Sequence, residues 1–241
     1  MRLLFKLILS ITMLVAVANA QTIKVGTNAT YPPFEFVNEQ NQITGFDMDL
    51  MAEIAKKVGF KIEIVNISFD SLIPALKAGK IDIIAAAMSA TPERIKAVDF
   101  SKSYYHTMNL FIKKADNKDL TKFEQLEGKK ISVQLGTVQE IAAREIKGAK
   151  VMAIDEIFGA VMAVKNAKAD ALIVDSSIGY GYLKQNPDLV EFLHLPDGSE
   201  GFSFAFDKGK HKELQAKINS AIDELKNDGT YDKLLVKYDL K

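Results

Sequence analysis

Short β-branched runs alternate with amphipathic helical stretches along most of the chain, and this alternation restricts the fold more than any other feature. The first series is Thr22–Gly26, Asp47–Val58, Lys61–Val65, Phe69–Lys77 and Ile81–Ala87. The second series is Lys130–Gln134, Gln139–Lys147, Lys150–Ala153, Ile157–Lys165 and Ala169–Val174. Because strands separated by helices indicate βαβ units, the pattern predicts an α/β protein with mostly parallel sheets flanked by helices.

A weak internal repeat predicts that the chain contains two similar lobes. The segment LKAGKIDII at 76–84 matches VKNAKADAL at 164–172 in character, position by position: helix end, turn, Asp and apolar strand. A chance similarity between two αβ turns is the alternative. Two strand-like crossings, Tyr104–Lys113 and Gly201–Phe206, would join the lobes as a hinge. The helical stretches His211–Lys226 and Thr230–Tyr238 would then pack on the N-terminal lobe.

These features predict lobe 1 at residues 21–107 and 203–241, and lobe 2 at 108–202 with the hinge strands at its ends. Residues 1–20 have the pattern of a secretory signal peptide. Arg2 and Lys6 precede an apolar stretch, and Ala18-Asn19-Ala20 is a small-x-small cleavage pattern. A membrane anchor is the alternative, but the apolar run is short for a bilayer span. We expect cleavage, with a mature chain that starts near Gln21.

Composition limits the compartment and the chemistry. The chain has no Cys, and therefore no disulfide, no thiolate metal site and no acceptor for a lipid anchor. We therefore expect a free periplasmic protein, and a monomer as the default. The 31 basic and 31 acidic residues balance, which gives no reason to expect nucleic acid as a partner. The three His lack metal-ligand spacing, and no nucleophile, phosphate-loop or dinucleotide motif occurs. We expect no catalytic residue, cofactor or metal.

Two segments at the predicted strand ends carry a candidate aromatic residue and a candidate cation. In open parallel sheets, ligands bind beyond the carboxyl ends of the strands. Tyr31 lies in a loop made rigid by two prolines, and it could stack on a ligand or simply close the top of the lobe. Thr91 caps a helix that begins at Pro92, which places Arg94 in the first helical turn. A cation is unfavourable there, so Arg94 indicates an anionic partner such as a carboxylate, with a solvent-exposed Arg as the alternative.

Two segments in the second half carry the complementary groups. Thr137 and Glu140 form a predicted capping box, so that the free amides of Val138 and Gln139 open a helix and offer an anion site. A well-capped helix without a ligand is the alternative. Asp175 follows the strand that ends at Val174, and by the internal repeat it is equivalent to Ala87. Its carboxylate could bind an ammonium group or cap the next helix. Together these groups match an α-amino acid.

Seven segments, in order and spacing, carry a resemblance to a known family. They are TYPPFEF, GFDMDLMAEIAKK, FDSLIPALKAGKID, SATPERIKAVDFSKSYY, LEGKKISVQLGTVQE, KADALIVD and NDGTYDKLLVKY. The chain resembles extracytoplasmic solute-binding proteins of the polar amino acid class, which serve ATP-binding-cassette importers. The resemblance covers nearly all of the mature chain. It implies the two-lobed type II periplasmic-binding-protein fold, hinge closure on an L-amino acid and delivery to a membrane permease.

The resemblance also implies roles for individual residues. Arg94 and the amides of Ala87 and Val138 would hold the α-carboxylate. Asp175, the Ala87 carbonyl and the Ser89 hydroxyl would hold the α-ammonium. Around the ligand side chain the resemblance places Tyr31, Phe69, Asn28, Gln134 and Gln139. The neighbouring residues Ala86, Met88 and Thr137 complete the predicted site.

The identity of the ligand stays open at this stage. Members that bind basic amino acids often carry an acid at Asn28 or Gln134, and this chain has amides at both, which favours an uncharged ligand such as glutamine. Glu35 could still reach a cation, so that arginine, lysine or histidine stays equally open. Two alternatives share the fold by analogy: a cyclohexadienyl-dehydratase-like enzyme and a ligand-sensing protein. The enzyme would need an acid or base that Asp175, already assigned to the ammonium, does not supply.

Overall fold

The computed structural model describes residues 21–240, and the predicted signal peptide lies outside them. The strands are β1 (Thr22–Thr27), β2 (Thr30–Tyr31), β3 (Glu35–Val37), β4 (Ile43–Thr44), β5 (Lys61–Asn66), β6 (Ile83–Ile84), β7 (Val98–Phe100), β8 (Met108–Lys114), β9 (Lys130–Gln134), β10 (Lys150–Ile154), β11 (Ala171–Asp175), β12 (Leu189–Pro196) and β13 (Ala205–Asp207). The helices are α1 (Phe46–Val58), α2 (Leu72–Lys77), α3 (Pro92–Ala97), α4 (Val138–Glu145), α5 (Ile157–Lys165), α6 (Ser176–Gln185), α7 (Lys212–Asn227) and α8 (Thr230–Lys237). Short 3₁₀ turns occur at Phe69–Ser71 and Phe123–Leu126.

Two five-stranded sheets of the same design form the two lobes. The first has the order β5-β1-β6-β13-β7 and the second the order β10-β9-β11-β8-β12. In each sheet the first three strands are parallel and the fourth runs antiparallel to both of its neighbours. The antiparallel strands β13 and β8 are the ones that the chain enters directly after crossing between the lobes. The predicted two-lobed α/β fold with mostly parallel sheets is confirmed.

The internal repeat corresponds to one structural contact made twice. The Asp82 carboxylate accepts a hydrogen bond from the Lys24 amide at 2.8 Å, and the Asp170 carboxylate accepts one from the Lys130 amide at the same distance. Each aspartate thus joins the turn before its own strand to the beginning of the neighbouring parallel strand. Because the two turns make the same contact, Ala87 and Asp175 occupy matching positions, near the carboxyl ends of the strands that follow the turns.

The two chain crossings lie side by side at the hinge. The Phe202 amide donates to the Tyr105 carbonyl and the Tyr104 amide donates to the Phe202 carbonyl, at 2.8 and 2.9 Å. Tyr104 stacks on Phe204 with ring centroids 4.7 Å apart, so the crossings are packed as well as hydrogen-bonded. The C-terminal helices pack on α1 of lobe 1, as predicted, and the Tyr231 hydroxyl donates to the Tyr104 carbonyl.

Three parts of the fold escaped the sequence analysis. Strands β2, β3 and β4 form a small antiparallel sheet that holds Tyr31 directly opposite Glu35. Helix α6 and strand β12 fill the segment after Asp175, where Gly179 and Gly181 disfavour a helix by propensity. Gly179 is nevertheless favoured, because a Cβ atom there would lie 2.5 Å from Leu110 Cδ2.

None of the helices in the described part of the chain has the length and apolar character needed to cross a membrane.

Candidate functional site

A cavity lies between the lobes, beyond the carboxyl ends of the parallel strands. Its lining residues are Asn28, Tyr31, Glu35, Phe69, Ala86, Ala87, Ser89, Arg94, Gln134, Thr137, Val138, Gln139 and Asp175. The structure therefore brings together every residue of the predicted site except Met88, whose side chain is buried in the core of lobe 1. It adds Glu35, which the sequence analysis had considered only as a possible contact for a cation.

Arg94 links the two lobes at one end of the cavity. As expected, the Thr91 hydroxyl caps α3 by accepting from the Arg94 amide. The Arg94 guanidinium donates to the Ser89 carbonyl from Nη1 and to the Gly136 carbonyl of lobe 2 from Nη2, both at 2.9 Å. Its carbon lies 5.5 Å from the centre of the Phe69 ring. Burial lowers the pKa of Arg94 to about 10, so the side chain keeps its charge at neutral pH.

Asp175 is buried on the opposite wall with its carboxylate turned to the cavity. It precedes α6, but its side chain makes no capping hydrogen bond, so the alternative role of a helix cap is not realised. The Tyr31 hydroxyl of lobe 1 donates to Oδ2 at 2.5 Å, and the Gln139 amide donates to Oδ1 at 2.9 Å. Burial outweighs both bonds and raises the pKa of Asp175 to about 7.

The backbone of Ala87 and Ser89 corrects one predicted role. The Ala87 amide, which was expected to bind a carboxylate, instead donates to Asp47 Oδ2 at 2.8 Å, and Ala87 takes a φ of 44°. Ser89 forms an isolated bridge with Phe202 in which only the flanking residues exchange hydrogen bonds. In such a pair the amide and carbonyl of the central residue point away from the partner strand. The Ser89 amide therefore points away from Phe202, has no acceptor within residues 21–240, and belongs to a residue that lines the cavity.

The start of α4 supplies a second amide, although the predicted capping box forms only in part. The Thr137 hydroxyl accepts from the Glu140 amide at 3.3 Å, as predicted. The Glu140 carboxylate does not return to Thr137 but accepts from the Gly136 amide at 2.7 Å. Within residues 21–240 the Val138 amide has no acceptor, so it is available at the cavity wall next to Thr137.

The three amide side chains of the cavity direct their NH₂ groups to protein acceptors. Gln134 Nε2 donates across the lobes to Asn28 Oδ1 at 3.0 Å and to the Asp155 carbonyl at 3.2 Å. Gln139 Nε2 donates to Asp175 and Asn109, and Asn28 Nδ2 donates to the Ile67 carbonyl. The oxygens of Gln134 and Gln139 accept no side-chain or backbone hydrogen bond within residues 21–240, so they can offer acceptors to a ligand. Asn28 Oδ1 differs, because it already accepts from Gln134 Nε2 and from the Thr30 hydroxyl.

Glu35 is the most unusual group in the cavity. It is 1% exposed, and its Oε2 atom has no hydrogen-bond partner in the part of the chain that the structure describes. Burial, followed by the charges of Asp47 and Asp175, raises the pKa of Glu35 well above its usual range. The sequence signal for this residue was its position four residues after Tyr31, which the β2–β3 pairing places opposite it. A ligand donor would satisfy this carboxyl group.

Comparison with known proteins agrees with the two-lobed fold. The profile of the bacterial extracellular solute-binding proteins, family 3, matches residues 23–241. The chain belongs to this family. This family 3 protein is 52% identical, over 220 residues, to a probable histidine-binding protein of Campylobacter jejuni, which covers 91% of this chain and 86% of the relative.

Solved structures give the same result. A structure described as an ancestral arginine-binding protein bound to arginine has a TM-score of 0.85 and 40% identity, over 90% of this chain and 97% of that chain. A structure described as an ancestral arginine-binding protein bound to glutamine has a TM-score of 0.83 and 39% identity, over 91% and 98%. These three relatives are named for binding an amino acid and not for a reaction. Within residues 21–240 no cluster of three potential metal ligands occurs.

Proposed function

We propose that this family 3 protein binds a cationic L-amino acid, of the arginine or histidine type, between its lobes and delivers it to the permease of an amino acid ABC importer. The observation that carries the proposal is Glu35, a buried carboxyl group with an unpartnered oxygen in a cavity that is otherwise complete for an α-amino acid. A buried carboxylate without a partner is costly, and a cationic side chain would remove that cost.

The α-carboxylate would bind at the end of the cavity that contains Arg94. The guanidinium there keeps its charge, and the backbone amides of Ser89 and Val138 are the nearby donors without a protein acceptor. A guanidinium group and two backbone amides can all donate hydrogen bonds to the oxygens of a carboxylate. Each hydrogen bond to a charged group contributes about 1.5–3 kcal/mol.

The α-ammonium would bind to Asp175. Its carboxylate is 4% exposed and already receives two hydrogen bonds, which fix its position. The Ser89 hydroxyl donates to Asp197 Oδ2 at 3.3 Å, so its oxygen stays free to accept a hydrogen bond from the ammonium group. The carbonyl of Ala87 would be a third acceptor, as the resemblance implies. Three acceptors match the three protons of an ammonium group.

The ligand side chain would extend toward Glu35 between Tyr31 and Phe69. One face of the Phe69 ring is near the Arg94 guanidinium, which leaves the other face for the ligand. The oxygens of Gln134 and Gln139 would be acceptors near the tip, with Asn28 beside them. This arrangement supports a cationic side chain over glutamine, because a guanidinium or imidazolium group supplies only donors. The names of the arginine-binding and histidine-binding relatives support the same choice.

Capture of the amino acid would require a hinge motion between the two lobes. Lobe 1 would consist of residues 21–107 and 203–241, and lobe 2 of residues 108–202. The two sheets draw their strands from these same ranges, which supports the boundaries. Tyr31–Asp175, Asn28–Gln134 and Arg94–Gly136 are hydrogen bonds between the lobes at the cavity wall, so the cavity must open before a ligand can enter. The lobes would separate about the paired crossings, and the closed form would dock to the permease. We further propose that residues 1–20 are removed on export and that the carrier is a monomer.

Calorimetric titration of the refolded, ligand-free protein with all twenty L-amino acids tests this function. We expect arginine or histidine to bind with a Kd below about 100 μM, equivalent to about −5.5 kcal/mol. Asp175→Ala should abolish binding, whereas Asp119→Ala, which changes an exposed carboxylate of lobe 2, should leave it intact. Binding of glutamine but of no cationic amino acid would reject the proposed ligand class. Unchanged affinity in Asp175→Ala would mean that the site is elsewhere.

A further inference from the structure

Glu35 lies in a cluster of acidic groups in which residues 21–240 place no paired cation. Asp47 on α1 and Asp175 on β11 act on it electrostatically, and the hydroxyl groups of Tyr31 and Tyr104 lie in the same cluster. No Lys, Arg or His forms an ion pair with Glu35 in the described chain. The Asp47 amide donates to the Phe34 carbonyl next to Glu35, and Tyr31, which is opposite Glu35 in the β2–β3 pair, donates to Asp175, so the three buried acids are neighbours.

Asp47 does not stabilise an ionised Glu35, because Asp47 is itself a buried acid with an unpartnered oxygen in the described residues. Asp47 is fully buried, and its Oδ2 accepts from the Ala87 amide and from the Tyr104 hydroxyl at 2.5 Å. Its Oδ1 atom has no partner in residues 21–240. Arg94, the cation of the cavity, directs both terminal nitrogens to carbonyl groups rather than to a carboxylate. In the described part of the chain, no cation compensates a negative charge on Glu35.

A carboxyl group in this situation retains its proton, since burial away from water disfavours the ionised form and no cation compensates that cost within residues 21–240. The protonated group has one donor and keeps an acceptor, so it can bind an amide side chain, whereas the ionised group is an acceptor that suits a cation. The two protonation states of one residue therefore match two classes of ligand side chain.

We propose that Glu35 carries a proton in the ligand-free protein and releases it to water when a cationic side chain enters, while a neutral polar side chain is bound by the protonated acid. This inference rests on the proposed binding of an amino acid in this cavity. The ligand keeps its own proton, and one proton from Glu35 leaves to solvent for each cation bound. Selection between cationic and neutral ligands then depends on pH, with neutral ligands gaining as the pH falls.

Asp175 would also release a proton, but for every amino acid, because every ligand brings an α-ammonium group. The comparison of arginine with citrulline separates the two carboxyl groups. Citrulline has the same α-groups and nearly the shape of arginine, and its side chain is uncharged. The difference in proton release between these ligands therefore reports the side-chain end of the cavity, where Glu35 lies.

The test is calorimetric titration at pH 6 in phosphate and in imidazole buffer. These two buffers differ in ionisation enthalpy, so the difference in measured heat gives the number of protons released. We expect about two protons for arginine and about one for citrulline. Glu35→Gln should lower the number for arginine by about one, whereas Glu39→Gln, at an exposed position, should not change it. If citrulline does not bind, release of about two protons by arginine alone supports the inference, and release of one or fewer overturns it.

A second measurement on the unaltered protein covers the case in which Glu35→Gln fails to fold. Between pH 5 and 8, the Kd for arginine should decrease as the pH rises. The slope of log Kd against pH should be up to one unit steeper for arginine than for the neutral ligand, which is a tenfold change in preference per pH unit. Parallel pH profiles would overturn the inference while leaving amino acid binding intact. Failure of every amino acid to bind would instead remove the proposed function on which the inference depends.

Discussion

Closure of the lobes can be tested at Gly136, where the backbone of lobe 2 lies close to Asp70 of lobe 1. A Cβ atom at Gly136 would lie 2.8 Å from Cβ and 2.9 Å from Cα of Asp70 in the opposite lobe. These are backbone or backbone-fixed atoms, so no side chain can turn away to make room. Gly136→Ala should therefore prevent the lobes from reaching the arrangement seen here.

The magnitude follows from the contact that would be lost. Gly136 has φ 78°, so alanine adds left-handed strain of about 1–2 kcal/mol. Holding the lobes apart also breaks the bond from Arg94 to the Gly136 carbonyl, and a hydrogen bond to a charged group contributes about 1.5–3 kcal/mol. The second contribution acts on ligand binding, so we expect the affinity for arginine to fall roughly tenfold to hundredfold.

Gly128→Ala is the matched control. Gly128 has φ 70°, and a Cβ atom there would meet nothing within 4 Å. It carries the same backbone strain in the same lobe without an obstacle between the lobes. Titration calorimetry measures the affinity, thermal unfolding measures the strain, and small-angle scattering with saturating arginine measures closure. We expect both variants to lose similar stability, and only Gly136→Ala to bind weakly and stay expanded. Equal affinities in the two variants would refute the reasoning.

Three further predictions concern the charge and packing of the lobes. Arg94→Lys should weaken arginine binding roughly tenfold or more, as measured by calorimetry, because lysine cannot bind two acceptors with a planar fork; unchanged affinity would contradict the assigned role. Burial raises the pKa of Asp47 to about 7, so the native protein holds a proton that the unfolded chain loses near pH 4. The free energy of unfolding of the ligand-free protein should therefore fall between pH 4 and 7, by up to about 1.4 kcal/mol per pH unit for this group. Asp47→Asn should make this slope shallower in urea titrations, while Glu35 and Asp175 keep part of it. Gly179→Ala should destabilise the protein by about 1–3 kcal/mol because its Cβ would overlap the buried Leu110 side chain, whereas Gly181→Ala, in open space on the same helix, should be neutral or stabilising. Equal urea midpoints for these two alanine variants would show that the packing at Gly179 can adjust.

Local patterns were sufficient for most of the fold. Strand β9 and helix α5 have the bounds that the periodicity predicted, because apolar side chains at regular spacing fix which face is buried. The repeated Asp82 and Asp170 correctly indicated two similar lobes. Helix α6 was missed because its two glycines reduce helix propensity, and the close approach of Gly179 to Leu110, which favours a glycine, involves a residue far away in sequence.

The residue types of the candidate site were also accessible from the sequence, but their hydrogen-bond directions were not. Asp175 ends strand β11 and Arg94 lies in helix α3, which follows β6, and parallel sheets bring the segments beyond their strand ends to one edge. The role assigned to the Ala87 amide was wrong, because Asp47, forty residues earlier, accepts its hydrogen. Asn28 and Gln134 suggested an uncharged ligand by their types, yet they bond to each other across 106 residues of sequence.

Glu35 shows most clearly where the sequence ends and the tertiary structure begins. The order of strands and helices and the chemistry at their ends depend on neighbouring residues, and the sequence alone determines them. Whether Glu35 is charged depends on how much water the folded lobes exclude and on which groups surround it. Desolvation and the approach of Asp47 and Asp175 arise only when three separate elements pack together. The fold therefore decides that an ordinary surface-type residue becomes a buried acid facing the ligand cavity.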